Sequence, residues 1–170
     1  AFSGILSVNG GQIAFPATEV ASAGANILDD YEEGTFTPLV QDNTFADESQ
    51  AYTTQVGRYV KIGRLCFFTL VVEMSSLGSL NTTQDVFIAG FPFAFADESG
   101  IGAGFLEDSF VVGAASGLAI TAGHSITAYR VQSPDALRIG LWEATTGTNP
   151  MILSELSADG KLAISGHYEV

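Results

Sequence analysis

Paired carboxylates are the arrangement in this sequence that comes nearest to a catalytic constellation. Adjacent acidic residues occur at Asp29/Asp30, Glu32/Glu33, Asp47/Glu48, Asp97/Glu98 and Glu107/Asp108. A glycosidase places two carboxylates about 5 to 10 Å apart, whereas adjacent side chains on a strand or turn point in different directions. We therefore predict no catalytic residue and interpret the protein as a non-enzyme, with a polysaccharide depolymerase as the least favoured alternative.

The other reactive side chains are isolated in the sequence. His124 and His167 stand among Gly, Ser, Thr and Tyr residues, with neither a His-x-x-x-His spacing nor a Gly-x-Ser-x-Gly motif. Cys66 is the single cysteine, which excludes an internal disulfide and indicates a buried thiol. The acidic residues at 42–48 lack the central glycine of a calcium loop. The sequence therefore predicts no metal and no cofactor.

Aromatic side chains near polar groups form a second candidate site. A pyranose has an apolar face and a rim of hydroxyls, so a sugar-binding surface needs exposed rings beside hydrogen-bonding groups. Candidate outward positions are those of Trp142, Tyr129, Tyr168 and His124. The predicted ligand-binding residues are Tyr129, Arg130, Trp142 and His124. The alternative, equally open from the sequence, is that these rings pack at a boundary between subunits.

Short β-strands must position these side chains, because helical periodicity is almost absent and Gly, Thr, Ser, Val, Ile and Phe are abundant. In 137–142 the odd positions are apolar, while Arg138 and Trp142 point the other way. Residues 65–72 are apolar on both faces apart from Thr69, which predicts a strand packed on both sides or against another subunit, with Phe67 at the interface. The other predicted strands are 12–15, 34–40, 84–89, 100–105, 125–131, 151–154 and 162–168. The predicted fold is an all-β antiparallel β-sandwich or jelly roll.

The N-terminal part departs from this pattern. Residues 16–34 lack alternation, so we interpret them as an extended connector that follows a short N-terminal strand, with one helical turn predicted over 26–34. The predicted organisation is a strand and connector at 1–34 and a β-sandwich domain at 35–170. The chain begins at Ala1 without a leader, which suggests a processed product or part of a longer protein.

Composition restricts the partners of the protein. Only 15% of its 170 residues are charged, against about 25% in a typical domain, so we infer that apolar surface is buried against other subunits. Nineteen acidic and six basic residues give a formal charge of -13, which argues against nucleic acid as a partner. The eight acids from Glu19 to Glu48 indicate a solvated face, with pairing to Arg58, Lys61 and Arg64 of a neighbouring chain as the alternative. The uncharged run 109–129 contains three glycines and reads as strands, so we predict no membrane insertion.

Several segments resemble a known family of proteins. Residues 11–18 read GQIAFPAT, 26–38 read NILDDYEEGTFTP, 52–63 read YTTQVGRYVKIG, 88–93 read IAGFPF and 164–168 read ISGHY. These segments resemble a module near the C-terminus of tailed-bacteriophage tail fibre and receptor-binding proteins. That family usually has LDDYEEGTWTP, from which Phe36 departs conservatively, and a Thr where this chain has Ile27.

The resemblance implies a structural protein of the virion, assembled as a homotrimer at the distal end of a fibre or spike. Its implied partners are other fibre or tail proteins and a host cell-surface polysaccharide. Leu28 and Tyr31 would then be anchors along the threefold axis. The alternative is a purely structural trimerisation or capping module of a head, neck or tail fibre.

Overall fold

Alternation of buried and exposed side chains defines the strands of the computed structural model, which describes residues 30–46, 48–96, 110–131 and 135–170. Along 65–76 the even positions from Cys66 to Met74 are buried, whereas Phe67 and Thr69 are exposed. The elements of the described residues are β1 Tyr31–Phe36, β2 Leu39–Gln41, β3 Ala51–Ile62, β4 Leu65–Ser76, β5 Phe87–Ala89, β6 Phe110–Ser116, β7 Ser125–Val131, β8 Ala136–Glu143, β9 Gly147–Pro150, α1 Leu153–Leu156 and β10 Lys161–Glu169.

The strands form two antiparallel sheets, as the sequence predicts. Sheet A has the order β1-β3-β4-β10-β6, and sheet B has the order β2-β5-β8-β7, with β9 paired to β8. The inner faces of the two sheets contribute to one core, in which Phe68 and Leu70 of sheet A join Leu137 and Ile139 of sheet B. The fold is therefore an all-β sandwich.

An aromatic cluster fills one end of this core. Tyr168 on β10 packs against Phe68, Phe91 and Phe95, with ring centroids 6.0, 5.7 and 4.5 Å away. Its hydroxyl donates a hydrogen bond to the carbonyl oxygen of Phe93 at 3.4 Å. The sequence expectation that Tyr168 points outward is wrong: the side chain is completely buried, because it follows the inward parity of Leu162 and Ile164 along β10.

Some elements differ from the sequence expectations. The segment Tyr31–Phe36 is a strand where a helical turn was predicted over 26–34, because pairing with β3 along six residues outweighs its local preference. At 151–154 an isolated bridge of Ile152 to Asp85 and the helix α1 replace the predicted strand. The strand β3 was not predicted. The strands expected at 12–15 and 100–105 lie outside the described residues, and the domain division at residue 34 stays a prediction.

The β3–β4 turn and Trp142 lie at opposite ends of the sandwich. The β3–β4 turn accepts a hydrogen bond at Arg64 from the Val170 amide and donates one from Gly63 to the Asp30 carbonyl, at 2.9 and 3.0 Å. The start of β8 lies at this end as well, because Ala96 bonds to Glu169 and Asp135 accepts from the neighbouring Phe95 amide. Trp142, near the other end of β8, lies about 20 Å away at the rise of an extended strand.

Candidate functional site

The outer face of sheet B carries two of the predicted ligand-binding residues. The pairing of β7, β8 and β9 aligns Ser125, Trp142 and Thr148 in one row across the sheet. The next row contains Thr127 and Gly140, and Tyr129 lies beyond them. We call this surface, formed by Ser125, Thr127, Tyr129, Gly140, Trp142 and Thr148, the Trp142 platform.

Gly140 lets the side chains of the platform pack closely. A Cβ at this position would lie 2.9 Å from Cγ2 of Thr148, 3.0 Å from Cε1 of Tyr129 and 3.1 Å from Cγ2 of Thr127. The Tyr129 ring therefore leans over the glycine and is half-buried. Burial raises the pKa of the Tyr129 phenol, so its hydroxyl stays protonated and able to donate at neutral pH.

Trp142 is the most exposed aromatic side chain of the described residues, at 48%. No ring contact or hydrogen bond joins its indole to another part of the described chain. The hydroxyls of Ser125, Thr127 and Thr148 likewise make no hydrogen bond within the described ranges. The platform thus presents one apolar ring face surrounded by three available hydroxyls.

His124 lies at the edge of the platform and is engaged by a neighbouring side chain. Its Nε2 is 3.1 Å from Oε2 of Glu143, and Oε1 of Glu143 accepts a hydrogen bond from the Thr146 hydroxyl at 2.6 Å. The bond from Thr146 and the contact with His124 hold the pKa of Glu143 below its usual range. This pair fixes the loops that flank Trp142, so His124 adjoins the platform without lying on it.

Arg130 does not belong to the site. Its side chain is buried on the inner side of β7, where it donates to the carbonyl oxygen of Ala96 and lies 5.0 Å from the centre of the Phe95 ring. A residue that contacts a ligand on the Trp142 platform must point outward from sheet B, so Arg130 is not part of the candidate site. The reason is the two-residue period of a strand, which sends Arg130 to the face opposite Tyr129.

Arg138 is the cation on the outer face of sheet B, next to Tyr129 in the register. It forms an ion pair with Asp85 and lies 5.4 Å from the centre of the Phe87 ring. Its charge is thus paired within the chain, although its buried Nε has no hydrogen-bond partner among the described residues. The alternation along 137–142 predicts the outer position of Arg138, but its partner Asp85 lies 53 residues away in the chain and leaves no local signal.

A second surface, on the outer face of sheet A, is apolar. Five of the six exposed large hydrophobic residues of the described chain lie on it, Trp142 being the sixth. These five residues are Tyr31, Val56, Ile62, Phe67 and Val111. The strand registers bring them to one side: Tyr31 pairs with Ile62, and Phe67 lies beside Val60 and His167. We call this surface the sheet A outer face.

The two predicted interface residues that the structure describes both lie on the sheet A outer face. Tyr31 is 40% exposed and Phe67 is 44% exposed, while Leu28 lies outside the described residues. Arg58 is exposed near the centre of this face. Among the described residues, no carboxylate lies within ion-pair distance of Arg58. Five exposed large hydrophobic side chains thus distinguish this face from the outer face of sheet B among the described residues.

A cavity of about 550 Å³ lies beside the β3–β4 turn. Its charged lining is paired within the chain: Lys61 bonds to Asp30 in a buried ion pair, and Arg64 lies 3.4 Å from Glu169. The Tyr59 hydroxyl donates to Glu32 at 2.5 Å, and this bond, together with burial, raises the pKa of Tyr59 to about 12. The buried pair with Asp30 does not fit the suggestion that Lys61 pairs with another chain, whereas the exposed side chain of Arg64 is compatible with it.

The acidic residues that line the cavity are engaged by neighbouring side chains. The carboxylates of Asp30 and Glu32 both face the cavity, but each accepts a hydrogen bond from a neighbouring side chain. No group of three or more His, Cys, Asp or Glu residues could hold a metal ion within the described part of the chain. No helix among the described residues is long and apolar enough to cross a membrane.

The fold and its two outer faces define a class of protein, an antiparallel β-sandwich with one apolar and one largely polar outer face. Among solved structures, its fold is similar to that of the Dettilon tailspike protein (gp208), with a TM-score of 0.63 and 17% sequence identity. The match covers 82% of this chain and 24% of the tailspike chain, so the similarity concerns about a quarter of that protein. Neither a protein-family model nor a curated protein matches the sequence.

Proposed function

We propose that the chain is a distal domain of a bacteriophage tail fibre or tailspike in the virion, which attaches to a host-surface polysaccharide and performs no catalysis. The observation that carries this proposal is the division of the exposed hydrophobic residues. Five lie on the sheet A outer face, and the sixth, Trp142, lies on sheet B among free hydroxyls. The sequence resemblance and the similarity in fold to a tailspike protein support the same conclusion.

The sheet A outer face serves assembly in this proposal. A homotrimer that buries Tyr31, Phe67 and Val111 of each chain removes these exposed apolar side chains from water, at about 25 cal/mol per Å² buried. Arg58 on the same face would meet acidic side chains of a second copy, which a chain of formal charge -13 supplies in abundance. Other fibre or tail proteins of the virion would join the domain through the chain that precedes Asp30.

The Trp142 platform serves attachment in this proposal. Residues 1–29 join the described sandwich at Asp30, beside the β3–β4 turn, while Trp142 lies near the opposite end of β8. A receptor-contacting surface is expected at the end away from the rest of the fibre. Once one copy in a trimer has bound, the other two are held at a high effective concentration near the receptor. The trimer therefore binds more tightly than a single site does, so each site can be weak.

A purely structural module is the second candidate, and the extent of the sheet A outer face favours it. A trimerisation or capping domain needs an interface of this kind and no receptor site. Both candidates predict a trimer, but only the attachment domain is predicted to bind polysaccharide on the outer face of sheet B. Binding to polysaccharide therefore separates them.

Two measurements test the proposed function. Light scattering after gel filtration should give a mass near three times 17.8 kDa for the whole chain. Immobilised bacterial lipopolysaccharides and capsular polysaccharides should then retain the trimer on at least one member of the panel. A trimer retained by none would support the structural module, and a stable monomer would overturn the assembly proposal. Release of new reducing ends from a bound polysaccharide would replace attachment by a depolymerase activity.

A further inference from the structure

We propose that the Trp142 platform binds an uncharged hexopyranose, stacked on the indole of Trp142 and hydrogen-bonded to the hydroxyls of Ser125 and Thr148. This inference deepens the proposed function and rests on it, since it names the class of sugar that the attachment site takes. It excludes uronic and sialic acids as the stacked residue of the receptor.

The shape of the platform fits a single sugar ring. Ser125 and Thr148 flank Trp142 on the two neighbouring strands, and two strand spacings place these positions about 10 Å apart. That distance spans one pyranose with its ring hydroxyls. The apolar C–H face of the sugar covers the indole, and the hydroxyl rim reaches Ser125 on one side and Thr148 on the other.

The availability of these groups points to an external ligand. The indole is 48% exposed and makes no ring contact among the described residues. The hydroxyls of Ser125, Thr127 and Thr148 have no hydrogen-bond partner there either. The hydroxyls of Ser125 and Thr148, which flank the ring, can therefore exchange water for sugar hydroxyls without losing internal hydrogen bonds.

The charges around the platform select an uncharged ligand. The nearest cation in the register, Arg138, is held by Asp85 and covers Phe87. His124 faces Glu143, whose carboxylate also accepts from Thr146. A sugar carboxylate would find no unpaired cation on this surface and would meet the field of a chain with formal charge -13. A neutral ring avoids both costs.

Nuclear magnetic resonance tests this inference directly, because Trp142 is the sole tryptophan and gives a single indole N–H signal. The probes are glucose, galactose, mannose, rhamnose and N-acetylglucosamine, with glucuronic acid, galacturonic acid and N-acetylneuraminic acid as charged probes. We expect saturable shifts of the indole signal with at least one neutral sugar and none with the acids. Thr148→Val should weaken that binding about tenfold, whereas Thr53→Val, an exposed hydroxyl on β3, should not change it.

Two results would overturn the inference. One is an indole signal that responds to the acids more strongly than to every neutral sugar, and the other is a signal that responds to no member of the panel. Failure of this inference can be distinguished from failure of the proposed function. If the trimer adheres to polysaccharide while Trp142→Ala binds as tightly as the unsubstituted chain, attachment stands and the platform is not its site.

Discussion

Phe67 on β4 and His167 on β10 face each other on the sheet A outer face, with ring centroids 5.6 Å apart. Phe67 is 44% exposed, and His167 is partly exposed beside it. The inner face of the same strand is fully buried, with Cys66 at 0% and Phe68 at 3%. One strand thus presents an apolar surface in both directions, although the sandwich itself covers only one of them.

Phe67→Asp should dissociate the assembly into monomers. The substitution places a carboxylate in each copy of the proposed interface, and burial of unpaired charges costs far more than the contact gains. The fold of the single chain should persist, because Phe67 makes no core contact. Light scattering should report a mass near 17.8 kDa, with unchanged far-ultraviolet circular dichroism.

Trp142→Asp is the matched control for Phe67→Asp, since it introduces the same charge at an equally exposed ring on sheet B. Its mass should equal that of the unsubstituted chain. If both variants dissociate, or neither does, sheet A is not the interface.

Asp42→Ala should destabilise the fold by about 2 to 4 kcal/mol. The carboxylate is 2% exposed and accepts hydrogen bonds from the amide and hydroxyl of Thr44, at 2.8 and 2.7 Å, and from the amide of Asn81 at 3.0 Å. It therefore joins two loops that are 39 residues apart in the chain. Urea unfolding measures the loss, and Asp159→Ala, at an exposed site, is the control.

The same carboxylate should make stability depend on acid pH. Burial alone would raise the pKa of Asp42, but the bonds from Thr44 and Asn81 outweigh it and hold the pKa below the usual 3.8. Because the folded-state pKa is the lower one, the contribution to stability is complete above pH 3.8 and is lost as the pH falls below it. Asp42→Ala should flatten this part of the stability profile, and an unchanged slope would assign the acid sensitivity to other groups.

Gly160→Ala should cost more than about 2 kcal/mol in unfolding free energy. An added Cβ would lie 1.8 Å from the carbonyl oxygen of Leu156, which is backbone and cannot rotate away. The comparison is Gly63→Ala, where φ is +56° and nothing lies within 4 Å. That change should cost about 1 kcal/mol through backbone strain alone. Equal costs in urea unfolding would contradict the close approach.

Arg130→Met should lower stability without affecting ligand binding at the Trp142 platform. The guanidinium donates to the Ala96 carbonyl and lies over Phe95 in the core, so its removal takes the donor from a partly buried carbonyl oxygen, at about 1 to 3 kcal/mol. Urea unfolding and titration of the indole signal measure the two effects separately. Loss of sugar binding in a folded Arg130→Met variant would return Arg130 to the site.

Sequence reasoning succeeded where alternation is strict. The strand β8 was predicted within one residue at each end, because the odd positions from Leu137 to Leu141 are apolar, and β7 was predicted at its observed bounds. The same parity placed Tyr129 and Trp142 outward. The same parity also implied that Arg130 points inward. Arg130 was wrongly predicted to bind ligand because it is next to Tyr129 in the sequence, although the two-residue strand period puts it on the opposite face.

The parts that sequence reasoning missed depend on distant partners. The strand β3 contains polar residues on both faces, and its inward Lys61 is satisfied by Asp30, 31 residues earlier in the chain. The helical turn predicted over 26–34 overlaps Tyr31–Phe36, which forms a strand because β3 lies beside it. Likewise, the pairing of Asp85 with Arg138 links positions 53 residues apart. Local propensity carries no information about such pairs.

The neighbouring positions of Asp30 and Val170 have a consequence for engineering. Both residues bond to the β3–β4 turn, so positions 30 and 170 lie close together on the surface of the described sandwich. A unit with adjacent ends can be inserted as a cassette into a loop of an unrelated scaffold, or circularly permuted through a short linker. Because Trp142 lies far from that junction, grafts and permutants of this kind should leave the platform accessible.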